Sequence, residues 1–166
     1  ECRKSSYQHV RTFGSAKQMA ELYQQFTAHF DGYYQRDIKY YESLLDCCHN
    51  SEEKLCFYYE QGQMKGYCLY LLNNKEAYVQ EIVYLDSRAL KQMLSYLAQN
   101  VNDIQLIVSN KEKIERVYPL AIPRRETYLM ARLNNIALFN KLYNCSVRHA
   151  EDAFELLQKP MWNHHM

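Results

Sequence analysis

Glycine is scarce in this chain. Only four stand among 166 residues, and none follows Gly66. Everything after that point therefore lacks the glycine-rich phosphate loops whose backbone must come close to a ligand. There is no apolar run of the roughly eighteen residues that a membrane-spanning helix needs. An excess of charge of one sign is also missing. Twenty basic and nineteen acidic residues leave a net charge of +1. That balance argues against a nucleic-acid binder held by phosphate neutralisation. The six cysteines, Cys2, Cys47, Cys48, Cys56, Cys68 and Cys145, form no CxxC pair and no zinc spacing. They read as reduced thiols acting as small hydrophobes, which suits a cytoplasmic setting. The opening residues do not read as a signal peptide, and none is expected. It begins at Glu1 rather than Met, so either a processed chain or a piece of a longer protein is expected.

What the chain does have is apolar content. Hydrophobic residues make up 48%, with 16 tyrosines among them. A globular domain with a substantial core is expected from that length and content. Residues 1–14 are polar and read as an arm or a first strand. Ser15 is positioned to cap a helix over 16–30, whose Met19, Leu22, Tyr23, Phe26 and Phe30 follow three-four spacing, with Asp31-Gly32 as its stop. A second helix is predicted over 35–47, with Ile38, Tyr41, Leu44 and Leu45 as its buried stripe.

From Lys54 the period becomes two, and three strands follow with short turns at Gln61-Gly62 and Asn73-Asn74-Lys75, an antiparallel meander. A helix from about Ser87 to Gln99 turns Leu90, Met93, Leu94 and Leu97 inward. "DIQLIVSN" is a fourth strand, free to lie parallel to the third because a helix separates them. "KEKIERVYPL" reads as helical up to Pro119, "ETYLMARLNN" as a fifth strand and "IALFNKLYN" as a last helix. The fold class is thus α/β (α+β), a mixed central sheet with an antiparallel meander flanked by helices. Residues 1–150 form the domain, and 151–166 a tail that starts a missing segment.

The order of elements resembles the GNAT acyltransferase superfamily. The text "KGYCLYLLNNKEAYVQEIVYLDSRALKQMLSYLAQN", then "ETYLMARLNNIALF", resembles the second GNAT-like domain of the Eis (enhanced intracellular survival) family, over about Ser15 to Tyr143. The resemblance implies a parent enzyme that acetylates amines with acetyl-CoA. It also implies a catalytic GNAT domain before this one, a sterol-carrier-like domain after it, and oligomer contacts. In such proteins the cofactor lies in the first domain, while the second walls the substrate cleft. No catalytic residue of that first domain has a matching position here.

The superfamily places its diphosphate loop between a strand and the helix that follows, as roughly Gln/Arg-x-x-Gly-x-Gly/Ala. The equivalent stretch here is Leu85-Asp86-Ser87-Arg88-Ala89, with an arginine and no glycine. Asp86 or Ser87 is expected to cap the helix and occupy its free N–H groups, and a carboxylate at Asp86 would repel a diphosphate. This chain is therefore expected to bind no cofactor itself. Arg88 is the cofactor-binding candidate, weighed against an ordinary exposed helix arginine.

Two residues are catalytic candidates. Tyr143 ends an "N-x-x-A-x-x-x-Y"-like stretch, where superfamily members carry a tyrosine that protonates the leaving thiolate. Glu81 sits mid-strand, where they often carry a base, against the plainer reading of a solvent-face glutamate. If Val79, Glu81 and Val83 share a face, apolar neighbours would raise the Glu81 pKa. His29 reads as a structural histidine, His164-His165 as a chain-end pair, Arg124-Arg125 as a solvated loop, and Lys111-Glu112-Lys113 as an exposed helix turn. No metal site is expected. Two alternatives stay open: a stand-alone acyltransferase with an atypical cofactor loop, and a tyrosine-rich protein-interaction module.

Overall fold

The computed structural model describes residues 9–30, 33–109, 112–124 and 133–158. They fall into two compact units, the first ending at Ala121 and the second running from Ile122 onward together with Tyr33. In the first unit a five-stranded sheet has the order β1 (Val10–Arg11), β2 (Lys54–Glu60), β3 (Gln63–Asn73), β4 (Glu76–Tyr84), β5 (Asp103–Leu106). The first three pairings are antiparallel and β4–β5 is parallel. The mixed sheet with its meander is as the sequence predicts.

The turns explain the meander. Gln61 and Gly62 both take positive φ, 51° and 80°, in the two-residue β2–β3 connection. That backbone matches the twist of the flanking strands, and glycine supplies it without strain. The β3–β4 turn is tighter than expected, since Asn73 pairs with Glu76 and leaves Asn74-Lys75 to reverse the chain, Asn74 at φ 54°.

Each face of the sheet buries its own core. On one face α3 (Ser87–Leu97) lays Ala89, Leu90, Met93, Leu94 and Leu97 on Cys56, Tyr58, Cys68, Tyr70, Ala77, Val79 and Ile82. The predicted inward stripe of α3 is fully buried, and each such large side chain contributes about 1.5–3 kcal/mol. Gly66 permits the close fit: a Cβ there would stand 2.7 Å from the Met93 methyl carbon. On the other face α1 (Ala16–Thr27) and α2 (Ile38–Asn50) cover Leu55, Phe57, Tyr59, Met64, Tyr67, Leu69 and Val83.

Several boundaries differ from the sequence expectation. Helix α1 stops at Thr27 rather than Phe30, where the Thr27 hydroxyl donates to the Tyr23 carbonyl at 2.7 Å and competes with the helical ladder. Ser15 holds the N-cap position but its side chain makes no capping bond. Helix α2 starts three residues late because Asp37, not a residue before Gln35, accepts from the Tyr40 amide at 2.9 Å. Only Tyr41 of its expected stripe is fully buried; Ile38 is 46% exposed. Strand β5 is four residues long. The segment around "KEKIERVYPL" forms only a 3₁₀ turn at Ile114–Arg116, since Glu112 turns back into the protein instead of pointing out from a helix. His29 lies beyond the end of α1 and is exposed, so it fills no core position.

The second unit holds α4 (Ile136–Tyr143), capped by Asn135 accepting from the Leu138 amide at 2.8 Å, and α5 (Ala150–Gln158). Asn144 closes α4 in the left-handed region, φ 48°. The fifth predicted strand, "ETYLMARLNN", lies mostly outside the described residues, as do Cys2, Arg125 and His164-His165.

Candidate functional site

Helix α3 begins right after β4, and Asp86 sits in extended conformation at its N-cap. One carboxylate oxygen accepts from the Arg88 amide at 2.9 Å and from the Ala89 amide at 2.8 Å. The Asp86 carbonyl accepts from Leu90 N at 3.3 Å, the first turn of the helix proper. Two of the amides that would face an anion are thus taken up inside the chain, and the cap itself brings a negative charge. Of the two capping candidates, Asp86 and Ser87, Asp86 holds the cap and Ser87 is the first helical residue. Arg88 is 68% exposed and pairs with Glu60, which holds its guanidinium further above the usual arginine range, chiefly through that hydrogen bond.

The β4–β5 pair opens partway along. Its register runs from Glu76↔Asp103 to Val79↔Leu106, with a last bond from Ile107 N to Val79 O at 3.2 Å. Beyond Val79, β4 continues to Tyr84 with no described β5 partner. The opening coincides with an irregularity in β3–β4 pairing: Leu69 faces Glu81 and Tyr70 faces Val79, leaving Gln80 as an extra residue on β4. Further out, the Tyr84 hydroxyl donates to Glu112 Oε1 at 2.8 Å, and Glu112 Oε2 accepts from Ser109 N at 2.9 Å. Burial raises the Glu112 pKa, opposed by the Ser109 amide and the Tyr84 hydroxyl. Burial and then Glu112 push the Tyr84 hydroxyl up. Glu112 is therefore not the exposed turn residue that its charged neighbours suggested.

The Gln80 bulge also corrects the expected setting of Glu81. Val79 joins the core beneath α3 while Val83 joins the core beneath α1 and α2, so Val79, Glu81 and Val83 do not share a face. Glu81 stays on the face of Val83 and Leu69, but a cation and a phenol take up its oxygens. Arg36 Nη1 lies 2.8 Å from Oε1 and 2.6 Å from Oε2, and the Tyr67 hydroxyl donates to Oε1 at 2.7 Å. The side chains of Arg36 and Glu81 remain 15% and 22% exposed, so the pair is reachable from solvent.

Arg36 comes from the connection between α1 and α2. Its guanidinium carbon lies over the Tyr23 ring at 4.5 Å and the Tyr40 ring at 4.7 Å. The Tyr23 hydroxyl donates to the Tyr34 carbonyl at 3.1 Å and so ties that connection to α1. Burial lowers the Arg36 pKa, but the Glu81 charge and hydrogen bond outweigh it and the net shift is upward. Burial pushes the Tyr41 hydroxyl up to about 12, and holds the Tyr67 hydroxyl well above its usual range with help from the Glu81 charge.

Tyr143 ends α4 in the second unit, 41% exposed and stacked on Phe139 with ring centres 4.6 Å apart. Within the first unit, Glu81 and Arg88 take separate partners, Arg36 with Tyr67 and Glu60 respectively. Sequence reasoning missed Arg36, Tyr67 and Glu112. A single arginine within "YYQRDIKYY" is a visible cation–π signal; nothing local marks Glu112. The described cysteines are all free thiols, and no cluster of three metal-ligating side chains occurs among the described residues. No helix among them is long and apolar enough to cross a membrane.

A family model described as an acetyltransferase (GNAT) domain matches residues 32–133. Solved structures of the same architecture include an acetyltransferase from Trypanosoma brucei, 12% identical with a TM-score of 0.50 over 75% of this chain and 98% of that one. A GNAT family acetyltransferase from Staphylococcus aureus is 13% identical, TM-score 0.51, over 75% and 97%. A ribosomal-protein-alanine N-acetyltransferase from Brucella melitensis is 11% identical, TM-score 0.50, over 75% and 96%. At these identities the likeness is one of fold. Among curated proteins none matches.

Proposed function

The chain belongs to the acetyltransferase (GNAT) domain family, and on that premise we propose that it serves an acetyl-CoA-dependent N-acetyltransferase as a domain that keeps the fold without holding the cofactor. One observation carries this reading: the Asp86 carboxylate takes up the Arg88 and Ala89 amides at the start of α3. A diphosphate brought there would lose those donors and meet a like charge. The lack of glycine after Gly66 supports the same reading, since a side chain on every residue of 85–89 keeps the backbone from the close approach that a diphosphate loop makes. The residues present at the start of α3 do not fit a diphosphate.

In this reading the parent protein is Eis-like. A neighbouring catalytic GNAT domain holds acetyl-CoA, a further domain follows this one, and this domain walls the cleft that receives the amine. Glu81 does not serve as a free base here, because Arg36 and Tyr67 occupy its oxygens. One observation favours a second reading, a stand-alone acyltransferase: β4 and β5 part after Val79, leaving an opening of the kind that could hold an extended thiol arm.

Calorimetric titration of the chain with acetyl-CoA decides between them. The expected result is no saturable binding up to about 1 mM, the weak end of useful affinity. A saturable isotherm in the low-micromolar range overturns the proposal in favour of the second reading.

A further inference from the structure

The Arg36 cluster has the parts of a recognition site for a flat organic cation. A carboxylate stands at its base, a phenol donates to that carboxylate, and two tyrosine rings lie against the cation at 4.5 and 4.7 Å. Such a box binds cations by charge, hydrogen bonding and ring quadrupoles together.

Two features separate this arrangement from a finished structural ion pair. First, Arg36 reaches both Glu81 oxygens through the single nitrogen Nη1. The two-nitrogen fork that makes arginine–carboxylate pairs strong and specific is not formed. Second, the Tyr41 hydroxyl is fully buried at the same spot and closes no hydrogen bond of ordinary geometry, although Tyr67 and Arg36 lie beside it. A buried hydroxyl left this way is costly, and a cation seated differently could satisfy it. Access exists, because Tyr40 is 42% exposed and the pair itself is partly open. Arg36 also sits on a connection between helices, not within a helix or strand.

We propose that Glu81, Tyr67, Tyr41, Tyr23 and Tyr40 form a binding site for a guanidinium-bearing ligand, and that Arg36 is an internal occupant which the ligand displaces. A planar guanidinium fits between ring faces and can present two nitrogens to Glu81 while a third reaches Tyr41. A compact ammonium lacks that fork. The inference stands apart from the cofactor question, since none of these residues touches the start of α3.

The test titrates methylguanidinium and, separately, methylammonium into three forms of the full chain: wild type, Arg36→Ala and Arg36→Ala/Glu81→Gln. Binding is read by the tyrosine ring signals in NMR and, for the wild type, by the Arg36 Nε–H signal. Arg36→Ala is expected to bind methylguanidinium saturably and about tenfold tighter than methylammonium, the margin of one added charge-assisted contact. The double variant should lose that binding. In the wild type, binding should be weaker and should move the Arg36 signal. If Arg36→Ala does not fold, Arg36→Met keeps the stem volume and takes its place. The proposal is overturned if the single variant shows no saturable binding, if Glu81→Gln leaves binding unchanged, or if methylguanidinium never shifts the wild-type Arg36 signal.

Discussion

Replacing Asp86 by alanine removes the side-chain acceptor for two amides at once, at 2.9 and 2.8 Å. One of these bonds is exposed and the other partly buried. Loss of a capping side chain costs about 0.5–2 kcal/mol. Removing a negative charge from the positive end of the helix adds about 0.3–1 kcal/mol. Together the expected loss is about 0.8–3 kcal/mol, with the upper half favoured because the Ala89 amide is partly shielded from water that could replace the carboxylate. The helix itself should persist, since Leu90, Met93, Leu94 and Leu97 stay buried on the sheet. For a chain of this size the melting temperature should fall by about 2–4 °C per kcal/mol. Urea denaturation monitored by circular dichroism gives the free energy directly, and Asp86→Asn, which keeps an acceptor oxygen and loses the charge, should fall between the variant and the parent. A change below about 0.3 kcal/mol in Asp86→Ala would refute the claim that these amides depend on Asp86, and with it the main argument against a phosphate at this position.

Other expectations test the packing and the buried phenols. Gly14→Ala places a Cβ 2.5–2.8 Å from the ring of fully buried Phe57; a loss of about 1–3 kcal/mol is expected by chemical denaturation, because the ring has nowhere to retreat. Gly66→Ala should be milder, since its closest neighbour, at 2.7 Å, is the flexible end of Met93, and the two variants measured side by side check that order. Tyr41→Phe should be neutral or stabilising near pH 7, because it removes a buried hydroxyl that closes no hydrogen bond of ordinary geometry. The Tyr41 pKa of about 12 lies above the value of about 10 expected when unfolded. Between about pH 10 and 12 the unfolded chain gives up this proton while the folded chain keeps it, so the parent loses stability as the pH rises through that window and Tyr41→Phe should decline less.

The sequence by itself determined the elements with strong local periodicity. The alternation from Lys54 to Tyr84, the positive-φ turn at Gln61-Gly62 and the Leu90, Met93, Leu94, Leu97 stripe are set by neighbours within a few residues, so they could be read in order. The same holds for the Asp86 cap, whose partners lie two and three residues away. Where a side chain prefers a distant partner, local reading went astray. Glu112 sits between two lysines yet turns inward to Tyr84, and the charged stretch around it gives only a 3₁₀ turn. Most of all, one unpaired residue in β4 was decisive. With Gln80 bulged, Val79 and Glu81 go to opposite faces, and Glu81, left with Val83 on the α1–α2 face, meets Arg36, 45 residues away in sequence. A period-two pattern cannot show where a strand breaks step with its neighbour, because that depends on the register of the paired strand. Only the assembled sheet therefore decided that Glu81 is a paired carboxylate inside a tyrosine box.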